Sequence, residues 1–213
     1  MSAIKICGLT TPGDAVAAAE AGADLLGFVF HEPSPRSVSS DRAAELIRQV
    51  RGSGFSPRCI GVFVDCSVDW IRRVADTAGL NGVQLHGEEA PEDVDRLGRD
   101  GLFVIKAFRI GHQREVEGIA GYSASAYLLD TYVPGRHGGT GRLFDWSLAV
   151  RVAKERPILL AGGLTPENVA SAICAVRPWG VDVSSGVESA PGRKDRDKVR
   201  RFIAVARAAM GRR

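Results

Sequence analysis

The chain has 213 residues, enough for one domain with a sizeable core or for two small ones. Hydrophobic residues make up 45% and charged residues 25%, which excludes a disordered tail, a collagen-like chain and a disulfide-stapled mini-protein. The 28 basic residues against 25 acidic ones leave a net charge of +3, scattered along the chain, so nucleic acid is not an expected partner.

Taken in order, short apolar runs alternate with helical patterns. A strand is expected over 4–7, followed by a helix to residue 21 that starts at Thr11-Pro12-Gly13-Asp14, with Thr as cap and Pro in the first turn. Strand 25–30 leads to helix 41–50, strand 59–64 to helix 68–78, and the short strand 83–85 to a helix near 91–97. Strand 103–108 precedes a weak helix near 113–119, and strand 126–130 precedes helix 146–153. Strand 158–161 is followed by a helix starting at Thr165-Pro166-Glu167-Asn168 and running to 176. Strand 181–184 and an amphipathic helix over 195–209 close the chain.

Eight such units in 213 residues are about 27 residues each, close to the ~30 of a βαβ unit. The alternation implies a parallel sheet with helices outside, and eight units suggest a single (β/α)8 TIM barrel domain over 1–213. A doubly wound open sheet is the alternative, because period alone does not prove closure. No apolar run reaches the ~20 residues of a membrane helix, and no signal-peptide pattern follows Met1, so a cytoplasmic protein is expected. The barrel's helical exterior is compatible with a monomer or a homodimer. Cys7, Cys59, Cys66 and Cys174 form no CxxC pair, so free thiols are expected and a zinc site is not. Cys59 and Cys174 read as small buried hydrophobes, and Cys66 as a loop or helix-start residue.

Barrel active sites lie at the C-terminal ends of the strands, so sequence order alone gives a short list. Cys7 and Gly8 follow the first strand, Asp65 the third, and Gln84, His86 and Gly87 the fourth; Arg109 and Asp130 end the fifth and sixth. Gly162-Gly163 and Ser184-Ser185-Gly186 follow the last two strands, where backbone N–H groups of glycine loops can hold a phosphate; the alternative is that these glycines only make tight turns. Arg36 lies in a long loop over 31–39, and a guanidinium suits bidentate capture of a carboxylate. A second long loop over 131–145 reads as a glycine-hinged lid. A thiolate at Cys7 can act as general base and a protonated carboxyl at Asp130 as general acid, a pair suited to an isomerisation. His86 either lines the pocket or bonds a backbone carbonyl, and His31, His112 and His137 read as loop residues rather than metal ligands. Asp182 lies inside the eighth strand, where its charge must be paired, and whether Lys5 reaches the site depends on the pleat of the first strand.

Several motifs occur together in family order: Lys5-Ile6-Cys7-Gly8-Leu9-Thr10, Ser34-Pro35-Arg36, Gly82-Val83-Gln84-Leu85-His86-Gly87, Leu128-Leu129-Asp130, Gly138-Gly139-Thr140-Gly141, Leu160-Ala161-Gly162-Gly163-Leu164, and Gly180-Val181-Asp182-Val183-Ser184-Ser185-Gly186-Val187-Glu188. Across essentially the whole chain this resembles the phosphoribosylanthranilate isomerases of tryptophan biosynthesis. The resemblance implies an Amadori rearrangement of N-(5-phosphoribosyl)anthranilate to 1-(2-carboxyphenylamino)-1-deoxyribulose 5-phosphate. It implies Asp130 as general acid, Cys7 as general base, Arg36 on the anthranilate carboxylate, and the glycine loops with Gly162, Gly163, Ser185 and Gly186 on the phosphate. Beside these, His86 is expected as a further substrate contact. That chemistry oxidises C2 and reduces C1 of the same sugar with no net electron transfer, so neither cofactor nor metal is expected, and the partner is a small phosphosugar-anthranilate. A related phosphosugar barrel enzyme and a non-catalytic phosphosugar-binding module are the alternatives. The Cys7/Asp130 pair discriminates the first, since the histidine-pathway isomerase barrels look like they use a carboxylate where this chain has Cys7.

Overall fold

The computed structural model describes residues 2–110, 118–130 and 146–211. Eight parallel strands, β1 (Ala3–Cys7), β2 (Leu25–Val29), β3 (Arg58–Phe63), β4 (Gly82–Leu85), β5 (Phe103–Arg109), β6 (Ala126–Asp130), β7 (Ile158–Ala161) and β8 (Gly180–Val183), pair in sequence order. β8 pairs back onto β1, with Ile4 opposite Val181 and Lys5 opposite Asp182, so the barrel is closed and the open-sheet alternative falls.

The helices are α1 (Pro12–Glu20), α2 (Ser40–Gly52), α3 (Val68–Ala78), α4 (Pro91–Arg99), α5 (Trp146–Ala153), α6 (Val169–Val176) and α7 (Arg196–Met210). Their starts follow from local chemistry. Thr11, Ser39, Ser67 and Asp195 cap α1, α2, α3 and α7 with side-chain oxygens that accept early backbone N–H groups. Among the described residues, no helix is long and apolar enough to cross a membrane.

Successive residues of a strand point to opposite faces. Ala3, Leu25, Ile60, Ile105, Ala107, Ala126, Leu128, Leu159 and Ala161 form one buried cluster inside the barrel. Their neighbours Ile4, Leu26, Val83, Val104, Leu129, Leu160 and Val181 join the larger cluster between sheet and helices. This phase puts Lys5 and Cys7, Gln84 and His86, Arg109, Asp130 and Asp182 on the inward face, and all but Lys5 reach one mouth of the barrel.

Two expectations need correction. Thr165–Asn168 is not the first turn of α6, which begins at Val169. Asn168 Oδ1 accepts from Thr165 N at 2.8 Å, and its Nδ2 donates to Gly163 O at 3.0 Å, so the segment closes on itself as a turn. Cys174 is exposed rather than buried, because the inner face of α6 is Val169, Ala172, Ile173 and Val176. The segment after β8 also holds a feature absent from the expectations. A single 3-10 turn, Ser185–Val187, leads into an antiparallel hairpin, β9 (Glu188–Ala190) and β10 (Arg193–Lys194), before α7 starts. The proposed lid over 131–145, with His137 and the Gly138–Gly141 motif, lies outside the described residues, as do His112 and most of the weak helix near 113–119.

Candidate active site

β1 delivers Cys7 to the mouth, and β2 makes room for it. Cys7 pairs with Gly27, where a Cβ would press on the Cys7 sulfur at 2.8 Å. Gly8, at φ +76°, turns the chain away, and the amides of Gly8 and Leu9 both donate to Gly27 O.

Behind Cys7 on the same face is Lys5, fully buried, with Nζ 2.9 Å from Asp182 Oδ1. The pleat of β1 thus points Lys5 inward, and it is the partner that Asp182 requires. Burial pushes the Cys7 thiol above its ordinary value, the ammonium groups of Lys5 and Lys194 pull it back, and Asp182 adds to the rise. Burial works against the Lys5 charge, but Asp182 and Cys7 outweigh it and leave its pKa raised.

Asp130 ends β6 opposite Arg109 of β5. His86, from the end of β4, places Nε2 3.8 Å from Asp130 Oδ2. Its Nδ1 lies 2.9 Å from Gln84 Nε2, so the ring bonds a side-chain amide. With Gln84 donating, Nδ1 is the acceptor and Nε2 carries the hydrogen that faces Asp130. Burial holds the imidazole below its ordinary value despite the Asp130 charge.

The last two loops meet edge to edge. Gly162 and Gly163 have φ of +89° and +65°, which a side chain disfavours. A Cβ on Gly186 would collide with the carbonyl oxygen of Leu164, so the loop after β8 can lie against the loop after β7 only as glycine.

The β2–α2 loop brings in Arg36. It arrives already paired: Nε donates to Glu188 Oε1 at 2.8 Å and Nη2 to Oε2 at 2.6 Å. Glu188 closes the last sequence motif but carries no expected role there, and its second partner, Lys194, lies outside every motif. The hairpin that carries them is too short and polar to give a periodic signal.

Cys7, Arg36, His86, Asp130, Gly162, Gly163, Ser185 and Gly186 all line one cavity of about 360 Å³, with His31 at its wall. A neighbouring cleft of about 490 Å³ shares Val64, His86 and Arg109 with it. The ammonium of Lys106 there is already held by Gly87 O at 2.6 Å and Glu89 Oε2 at 2.7 Å. Asp65 acts in the framework, accepting from Glu88 N at 2.7 Å. The smaller cavity therefore gathers a thiol, a carboxyl, a guanidinium and two glycine loops, a set that can hold a ligand with two anionic groups and move protons on it.

The profile of the N-(5'-phosphoribosyl)anthranilate (PRA) isomerase family matches residues 4–205. The chain belongs to the phosphoribosylanthranilate isomerase family. A family member from Geobacter sp. (strain M21) is 52% identical over 207 residues, covering 97% of this chain and 98% of that protein. The crystal structure of phosphoribosylanthranilate isomerase from Thermotoga maritima superposes with a TM-score of 0.87 at 42% identity, covering 98% of this chain and all of the other. A phosphoribosylanthranilate isomerase crystallised with reduced 1-(o-carboxyphenylamino)-1-deoxyribulose 5-phosphate superposes with a TM-score of 0.85 at 40% identity, covering 98% and 100%. Membership in this family agrees with the closed barrel and with the resemblance carried by the motifs.

Proposed function

We propose that this protein isomerises N-(5-phosphoribosyl)anthranilate to 1-(2-carboxyphenylamino)-1-deoxyribulose 5-phosphate, as a single catalytic barrel acting in the cytoplasm, monomeric or homodimeric. The observation that carries the reading is the convergence of Cys7, Asp130, Arg36 and the two glycine loops on one cavity. The glycine loops hold the phosphate through backbone N–H groups, and Arg36 holds the anthranilate carboxylate. Between these two anchors lies the ribose.

Asp130 gives a proton to the ribose ring oxygen. The C1–O bond breaks, and the anthranilate nitrogen lone pair forms a C1=N bond. Cys7, as thiolate, then removes the C2 proton, and that electron pair forms C1=C2 while the C=N electrons return to nitrogen. The resulting enolamine tautomerises to the ketone as C1 gains a proton and the C2 hydroxyl loses one. Cys7 ends as thiol and Asp130 as carboxylate, and proton exchange restores both. His86, with Nε2–H toward Asp130, supports that carboxyl beside the ring oxygen.

The test is the decay of substrate fluorescence after phosphoribosylanthranilate is made in situ, with Asp130→Ala protein beside the wild type. Decay with wild type alone supports the reaction and the role of Asp130. Equal decay with both removes Asp130 as the acid. Decay no faster than background with wild type refutes the function.

A further inference from the structure

Arg36 approaches the cavity with one edge of its guanidinium already occupied. A guanidinium carries five N–H donors in a planar fork and can meet a carboxylate along more than one edge. Glu188 takes the Nε/Nη2 edge and leaves the edge that includes Nη1 for another acceptor. Glu188 Oε1 is also bound by Lys194 Nζ at 2.8 Å, and Lys194 Nζ donates a second time, to Ser184 O at 3.1 Å. The Lys194 side chain has no solvent exposure and that of Glu188 has 5%.

The arrangement is fastened to the loops around it. Thr10 Oγ1 donates to Gly192 O at 2.6 Å, and Lys194 N donates to Asp14 Oδ2 at 3.1 Å. A Cβ on Gly192 would press on Pro35 O at 2.9 Å, so the hairpin tip sits directly on the Arg36 loop.

Arg36 and Glu188 alone are neutral, and the Glu188 carboxylate would repel a second carboxylate brought to the same guanidinium. One carboxylate needs only one cation, and burying a further ammonium is costly. With Lys194 present the three side chains Arg36, Glu188 and Lys194 sum to +1, and that surplus lies beside the cavity, facing Cys7 as well as the open edge of Arg36.

We infer that Glu188 and Lys194 are positioning residues for the substrate carboxylate: Glu188 fixes the plane of the Arg36 guanidinium, and Lys194 cancels the Glu188 charge so that Arg36 keeps a net positive charge for an arylcarboxylate. The inference deepens the functional reading above and rests on it. Neither residue touches the substrate, and both act through Arg36.

The experiment is titration of anthranilate and, separately, of inorganic phosphate into wild type, Lys194→Met, Glu188→Gln and the double variant, with isomerase kinetics on each. Lys194→Met leaves the cluster neutral and is expected to weaken anthranilate binding about tenfold or more, with phosphate binding within about twofold. The double variant restores the +1 charge and is expected to recover anthranilate binding to within about threefold of wild type. Glu188→Gln binds anthranilate no more weakly than wild type, but its kcat falls more than its KM changes, because the guanidinium loses its fixed plane. Unchanged anthranilate binding in Lys194→Met, an equal loss of phosphate binding, or a double variant as weak as the single one overturns the inference. If Lys194→Met does not fold, Glu188→Gln decides: it keeps an acceptor for Lys194, and weakened anthranilate binding there also overturns it. Wild type without isomerase activity overturns the functional reading and this inference together, whereas an active wild type with the outcomes just named overturns the inference alone.

Discussion

Lys5 and Asp182 face each other across β1 and β8 inside the barrel, Nζ 2.9 Å from Oδ1, one pleat below Cys7. The pair sits where an all-apolar core would be expected. Its ammonium also pulls the Cys7 thiol down against the rise that burial causes.

Removing one partner leaves the other charge buried. Lys5→Met is expected to cost about 3–5 kcal/mol, and Lys5→Met with Asp182→Asn less than the sum of the two single changes. Urea denaturation of the two single variants and the double variant gives the coupling, and strict additivity would contradict the pairing. The Cys7 thiol of the double variant should also need a higher pH for alkylation by iodoacetamide, followed by mass mapping because Cys174 is exposed.

His86 sets a pH dependence of stability. Burial holds its pKa in the folded protein below the ordinary 6.5, with Asp130, Asp182, Lys5 and Arg109 as the charges facing it. As pH falls, the unfolded chain takes up the proton first. The contribution is therefore complete above about 6.5 and fades as pH falls through the folded value. Melting temperature should fall more steeply between pH 7 and pH 5 for wild type than for His86→Gln. Parallel curves would show that the ring is not held neutral by the fold.

Gly186 tests the phosphate grip. A Cβ there meets the carbonyl of Leu164, a backbone atom that cannot swing aside. Gly186→Ala should part the two loops, raise KM at least about tenfold and weaken inorganic phosphate similarly, since tenfold is only about 1.4 kcal/mol of binding. An alanine variant with wild-type KM would mean the loops do not hold the phosphate together.

The barrel was legible because each strand is a short Val, Ile, Leu or Phe run bounded by turn residues. α3 was expected over 68–78 and is observed as Val68–Ala78, because Ser67 caps its start and Gly79, at φ +69°, ends it. The inward phase of Cys7, His86, Arg109 and Asp130 follows from the same alternation. What the sequence hid was pairing at long range. Arg36 and Glu188 are 152 positions apart and Lys5 and Asp182 are 177 apart, and no local period connects them. The hairpin at 188–194 has strands of only three and two residues, below the length at which alternation can be seen. The turn at Thr165–Asn168 carries every sign of a helix start, yet its Asn side chain bonds back to the loop instead.

The most direct test of the acid–base account is the turnover of Cys7→Ser on phosphoribosylanthranilate made in situ, with inorganic phosphate binding measured on the same sample. A serine hydroxyl keeps the shape but not the accessible anion. The account predicts a kcat lower by about 10²–10⁴, the usual contribution of a positioned base, with phosphate affinity within about twofold of wild type. Wild-type turnover in the serine variant would remove Cys7 from the reaction and contradict the account.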